Sequence, residues 1–164
     1  MFEDGGKHLR RGGEGVGLDR MAKSGSATVP HAAAIEVEWV GGLEFQAGRP
    51  RGPRIRIDGD ATTAPGPFDV LLASIATCAS TDVVTILQKQ RTPVKALRVM
   101  IEAQRVAATP RRLASAILHF TITAPGTTQA RAARAVELSI TKYCSVRSSL
   151  IADAPVTWTV ELRS

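Results

Sequence analysis

The chain has 164 residues and a mass of 17.4 kDa, with 44% apolar and 22% charged residues. That is the size and make-up of one globular domain with some chain to spare, and it excludes separate cofactor and substrate lobes. The net charge of +6 raises an anionic partner, but the basic residues cluster only as pairs (Arg10-Arg11 and Arg111-Arg112) and the seven aromatics are scattered. A solvated basic surface is therefore expected rather than a nucleic-acid platform.

Residues 1 to 29 hold seven of the 14 glycines and no apolar period, so a flexible tail is expected there, with the folded domain over 30–164. Met21 is a candidate alternative start. The N-terminus carries Glu3 and Asp4 and lacks the apolar stretch of a signal peptide, and no run of about 20 apolar residues is seen. A cytoplasmic protein without a membrane span is the expectation.

From His31 the pattern changes to period two: Ile35, Val37 and Trp39 alternate with Glu36 and Glu38, which predicts a half-buried strand. Gly41-Gly42 supplies a turn into a second strand with Leu43 and Phe45. In a third strand Arg54 and Arg56 share one face and Ile55 and Ile57 the other, ending at Asp58-Gly59. A helix follows from about Pro67 to Gln90, with Gly66 at the cap, Pro67 at its first position and Asp69 in its first turn. It is apolar nearly all round from Phe68 to Ala79, which predicts a central helix buried on every side.

Two alternating strands are expected near Ala96–Val106 and Leu113–Thr123. A helix over about Thr128–Tyr143 should place Ala132, Ala133, Val136, Ile140 and Tyr143 inward, followed by a short helical turn after Cys144. A last strand alternates Val156, Trp158, Val160 and Leu162 with Thr157, Thr159, Glu161 and Arg163. The order β-β-β-α-β-β-α-β makes the class α+β, with largely antiparallel strands.

Two cysteines, Cys78 and Cys144, lie 66 positions apart, with no CxxC pair and no nearby histidine to complete a metal site. His8, His31 and His119 are isolated and read as surface or filler residues. Cys78 falls in the middle of the apolar helix, where a small core hydrophobe is the ordinary role of a free cysteine. To ionise there it needs a neighbouring cation, for which Arg54 or Arg56 is the candidate. Cys144, at a helix start, reads as the better-solvated thiol. Asp69 is most simply a capping residue, with a role in holding the arginine as the functional alternative. Asp82, one turn beyond Cys78, opposes ionisation of the thiol unless it pairs with a base, and otherwise reads as the polar edge of the helix.

The run Gly66-Pro67-Phe68-Asp69-Val70-Leu71-Leu72-Ala73-Ser74-Ile75-Ala76-Thr77-Cys78, continued by Asp82-Val83-Val84-Thr85-Ile86-Leu87, resembles the central helix of the OsmC/Ohr family, the osmotically induced and organic-hydroperoxide-resistance proteins. Ala135-Val136-Glu137-Leu138 and Lys142-Tyr143-Cys144-Ser145-Val146 resemble the segment carrying that family's second cysteine. The resemblance covers about residues 33 to 163. It implies an intertwined homodimer, with antiparallel sheets wrapped around two long central helices and active sites at the subunit interface. It also implies a thiol peroxidase for organic hydroperoxides, with Cys78 peroxidatic, Cys144 resolving and Arg56 the arginine before the helix, Arg54 being a possible substitute. Apolar walls from Leu71, Leu72 and Ile75 would favour organic over hydrogen peroxide. The implied reductant is a lipoyl-type dithiol rather than thioredoxin, with no cofactor or metal. One departure is visible: the family glutamate ten positions before the first cysteine is here Phe68, and the acid is Asp69. A non-peroxidase member of the same fold, sensing redox state or binding a small molecule, is the alternative, and nucleic-acid association through the basic surface is the third reading.

Overall fold

The computed structural model describes residues 33–150 and 152–163; the glycine-rich stretch, Met21, His8 and His31 lie outside the described residues. The order is β1 (Glu36–Gly41), β2 (Glu44–Gly48), β3 (Arg54–Asp58), α1 (Pro67–Lys89), β4 (Ala96–Arg105), β5 (Leu113–Thr123), α2 (Gln129–Leu138), a π-turn (Ser139–Tyr143), α3 (Ser145–Ser148) and β6 (Val156–Arg163). The strands form two three-stranded sheets, ordered β1-β2-β3 and β4-β5-β6. All neighbours are antiparallel except β5 and β6, which the helical crossover makes parallel.

The first sheet follows from the period-two pattern. Register pairs Val37 with Ala47 and Ala47 with Ile55, and pairs Trp39 with Phe45 and Phe45 with Ile57, so one face is apolar. The opposite face carries Arg54, whose guanidinium reaches Glu36 at 2.6 Å and Glu38 at 2.8 Å, and Arg56, which pairs with Glu44. Gly42 takes φ +55° and Gly41 φ +134° at the β1–β2 turn, conformations a side chain would strain. Among the described residues this face is open along β1 and at Ile55, with Val37 64% exposed, Trp39 66% and Ile55 53%, while Ala47 at its centre is buried.

The second sheet carries the core. Leu118, Phe120 and Ile122 alternate inward along β5 and pack with Ile75, Ala79, Val83 and Leu87 of α1 and Ala132, Ala135 and Val136 of α2. The buried α1 residues follow i, i+4, i+8, i+12, a single stripe. The expectation of a helix buried on every side is thus corrected: Ala73, Thr77, Thr81 and Val84 lie open along another stripe. Among the described residues the second sheet, α2, the π-turn and α3 pack against α1 and leave this other stripe open. By length and composition α1 is also apolar enough to cross a bilayer, which the interspersed Ser and Thr residues conceal in a search for unbroken apolar runs. In this fold its buried stripe packs into the core.

The segment between β3 and α1 is fixed by Asp58. Its carboxylate accepts from the N–H groups of Asp60, Thr62 and Thr63 at 2.9 to 3.1 Å and from both threonine hydroxyls. These bonds, led by the Thr63 and Asp60 amides, hold the carboxyl well below the usual carboxylate range against the opposing effect of burial. Because the folded pKa is depressed, the stabilisation is complete above the ordinary carboxylate pKa and is lost as pH falls below it. Asp58→Ala should therefore lower the Tm at pH 7, and the gap to the unsubstituted protein should narrow as pH falls below about 4 while staying open at about pH 3, where the folded carboxylate is still ionised. A gap that is the same at pH 7 and at about pH 2 would show that the ionised carboxylate is not what orders the loop.

α1 starts as its punctuation predicts. The Asp69 carboxylate accepts from the Gly66 N–H at 2.9 Å, with Pro67 at the first position. Asp69 is thus engaged as a capping residue. α2 departs from expectation. Thr128 caps it by accepting from the Arg131 N–H at 3.3 Å, but the helix widens after Leu138, and the Cys144 N–H donates to the Ser139 carbonyl at 2.8 Å, five residues back. The extra residue rotates the chain beyond it about the helix axis. Tyr143, expected inward, is 50% exposed, while Ser139 and Cys144 turn into the core.

Candidate redox site at two cysteines

α1 presents Cys78 half-buried in mid-helix, and the π-turn delivers Cys144 against the same helix. The Cys144 sulfur lies 4.0 Å from the Ile75 carbonyl oxygen, at the level of Cys78, because a helical carbonyl points one turn ahead. The two thiols are near enough to act on each other's ionisation. Cys144 is 1% exposed, which reverses the expectation that it is the better-solvated thiol. The reason is the π-turn, for which the local sequence carries no signal.

Cys144 is also the N-cap of α3. Its sulfur accepts from the Arg147 N–H at 3.4 Å, and the Ser145 hydroxyl sits 4.0 Å from the Cys78 sulfur. The Cys78 thiol lies below its ordinary range. Burial, the largest single influence, pushes it up, and the Val146 N–H, the Cys144 thiol and the Ser145 hydroxyl together outweigh that. Cys144 is pushed up to about 11, first by burial and further by Cys78 and Asp82, against the Arg147 N–H. Of the two thiols, Cys78 is therefore the more readily ionised and Cys144 the one that holds its proton more tightly. Ser145 and the Val146 amide were not singled out in the sequence; a backbone donor leaves no compositional trace.

The predicted arginine is not among the groups acting on Cys78. Arg56 is engaged by Glu44 on the polar face of the first sheet, and Arg54 by Glu36 and Glu38. Asp69 lies nine residues, more than two helical turns, before Cys78. Within one chain the structure thus brings together Cys78 and Cys144, and leaves Arg56 and Asp69 apart from them. Of the suggested apolar walls, Ile75 is in the core and Leu71 and Leu72 are half-buried against it. A groove of about 410 Å³ next to the site is lined instead by Asp82, Ile86, Lys89, Leu138 and Tyr143, among others. His119 is used structurally, its Nδ1 lying 2.9 Å from the Thr159 hydroxyl on the outer face of the second sheet.

Iodoacetamide at pH 8 should alkylate Cys78 and leave Cys144 intact until the protein is unfolded, read by peptide mass mapping. Equal labelling of both would contradict the assignment of the proton.

The family model for OsmC-like protein matches residues 58–160. Protein YhfA of Escherichia coli strain K12 is 37% identical over 127 residues, spanning 77% of this chain and 95% of YhfA. Among solved structures, the OsmC-like protein from Mycoplasma pneumoniae superposes with a TM-score of 0.71 at 15% identity, over 82% of this chain and 99% of that one. The organic hydroperoxide resistance protein OhrB of Bacillus subtilis does so with a TM-score of 0.55 at 12% identity, over 80% and 98%. At these identities the two structures speak to the fold.

Proposed function

The chain belongs to the OsmC-like protein family, and from that premise we propose that it is a cysteine-based peroxidase that reduces organic hydroperoxides to alcohols. The observation that carries this reading is the thiol pair at one helix: a half-buried Cys78 touching Ser145 and a fully buried Cys144 packed against Ile75, with Cys78 the more readily ionised. The Cys78 thiolate attacks the terminal peroxide oxygen, the O–O bond breaks, and the alkoxide leaves as alcohol after taking a proton. The sulfenic acid on Cys78 then condenses with the Cys144 thiol, releasing water and forming a disulfide. An external dithiol of the lipoyl type reduces that disulfide by exchange. The Val146 amide and Ser145 hydroxyl supply part of the stabilisation expected of the arginine.

The apolar part of the groove, Ile86, Leu138 and the Tyr143 ring, suits a substrate with a hydrocarbon body. Turnover of cumene hydroperoxide with a dihydrolipoyl dithiol should exceed that of hydrogen peroxide under the same conditions. Equal rates would remove the claim of an organic substrate.

The reading includes a homodimer. Supporting it, among the described residues, are the open face at Val37, Trp39 and Ile55 and the open α1 stripe of small side chains, Ala73, Thr77, Thr81 and Val84.

A second reading is favoured by one observation: Arg56 and Asp69 are committed elsewhere, Arg56 to Glu44 and Asp69 to the helix cap. On it, the protein is a redox sensor whose thiols oxidise once without turnover. Several equivalents of peroxide consumed per chain with excess dithiol support the peroxidase; a single equivalent supports the sensor.

A further inference from the structure

We infer that Asp82, fastened beside Ser139 one turn beyond Cys78, is the base that accepts the Cys144 proton as that thiol closes on an oxidised Cys78. The inference rests on the two cysteines acting as a redox couple.

Asp82 is at i+4 from Cys78, so the two Cβ atoms are about 5 to 6 Å apart. Side chains of a helix tilt toward its N-terminus, which leans the carboxylate back over the sulfur. The π-turn reaches the same spot from the other side. The Ser139 hydroxyl lies 2.9 Å from the Ala79 carbonyl and 3.4 Å from Asp82 Oδ2. A hydroxyl has one hydrogen, and it is directed mainly to the nearer acceptor, the Ala79 carbonyl. Shared weakly with Asp82 Oδ2, that hydrogen locates the carboxylate and leaves its other oxygen uncommitted, and among the described residues no cation forms an ion pair with it.

An acid at this place has a cost. It opposes ionisation of both thiols, so it works against the first step of the chemistry. Its use lies in the second step. Cys144 is buried and holds its proton at neutral pH, so it must lose that proton as it attacks, and bulk water does not reach it. Asp82 also borders the groove of about 410 Å³, which also carries Lys89 from α1 and Tyr143 from the π-turn and provides an exit for proton and product water. In the step itself the Cys144 S–H bond breaks, its proton passes to the carboxylate, directly or through one solvent molecule, and the S–S bond forms as the Cys78 S–O bond breaks. The departing hydroxide takes the proton from Asp82, so water leaves and the carboxylate is regenerated.

Ellman's reagent isolates this step without peroxide. Cys78 attacks it and releases the first thionitrobenzoate; Cys144 then displaces the second, a leaving group that needs no proton. With Asp82→Asn the first release should be no slower than in the unsubstituted protein, and the second should fall by roughly 10²-fold. Asp82→Glu, which keeps the carboxylate, should recover much of the loss. A merely structural role would not separate the two releases, nor be rescued by glutamate. A second release at the unsubstituted rate in Asp82→Asn overturns the inference, as does the absence of any second release in the unsubstituted protein. If the protein shows both releases but consumes no hydroperoxide, the peroxidase reading fails and the role of Asp82 stands.

Discussion

Replacing Cys78 by serine should abolish hydroperoxide consumption, lowering the rate by on the order of 10³-fold or more to the uncatalysed background. Serine keeps the size and the hydrogen-bonding neighbours of the site, but an alcohol does not ionise where a thiol does, so the Val146 amide and the Cys144 thiol have no anion to stabilise. Cys144→Ser should behave differently. The first peroxide is still reduced, but no thiol is present to condense with the sulfenic acid, so sulfenic and then sulfinic acid should accumulate on Cys78 and turnover should stop after about one equivalent. A stopped assay with cumene hydroperoxide and mass spectrometry of the product reads both. Full activity in Cys78→Ser would remove the mechanism, and full multiple turnover in Cys144→Ser would remove the disulfide from it.

A comparably large effect is expected on assembly. Val37, Trp39 and Ile55 are each more than half exposed on one face of a three-stranded sheet whose other face is occupied by ion pairs. Covering each such side chain contributes roughly 1.5 to 3 kcal/mol, so a patch of this kind drives association in water. The protein should therefore run in light scattering at about twice the 17.4 kDa of one chain. Introducing Val37→Asp together with Ile55→Asp places two charges where the register aligns them on the apolar face through Ala47. Burying unpaired carboxylates costs several kcal/mol, and the variant should be monomeric, with a lower Tm. A monomeric unsubstituted protein at micromolar concentration would contradict the dimer.

The strands were legible because each half-buried strand alternates: Val37, Trp39, Ile55 and Ile57 against Glu36, Glu38, Arg54 and Arg56 need no tertiary information to be sorted to opposite faces. Helix α1 was legible at its start, where Gly66, Pro67 and Asp69 act locally. Which face of a sheet meets which layer was not legible, since alternation separates Arg54 and Arg56 from the isoleucines without saying what the arginines face. Their partners are glutamates of the neighbouring strands. The second half of the site was hidden for a different reason. A helix through Thr128–Tyr143 and a helix that widens at Ser139 share one sequence pattern, and only packing against α1 decides between them. That widening carries Cys144 from the expected solvated position into the core, while Ser139, where it begins, continues the inward stripe of α2 and lies beside Asp82. The pairing of Cys78 with Cys144 is what the family resemblance implies; the packing of the π-turn on α1 sets both cysteines at one level of that helix.

The proposed chemistry requires two thiols 66 positions apart to form one redox couple. Non-reducing peptide mapping after one equivalent of cumene hydroperoxide shows whether they do. A single cross-linked peptide pair joining Cys78 to Cys144 is expected, formed within one chain and dispersed by a dithiol. Recovery of both cysteines as free thiols, or of Cys78 oxidised to sulfinic acid with Cys144 untouched, would refute the couple.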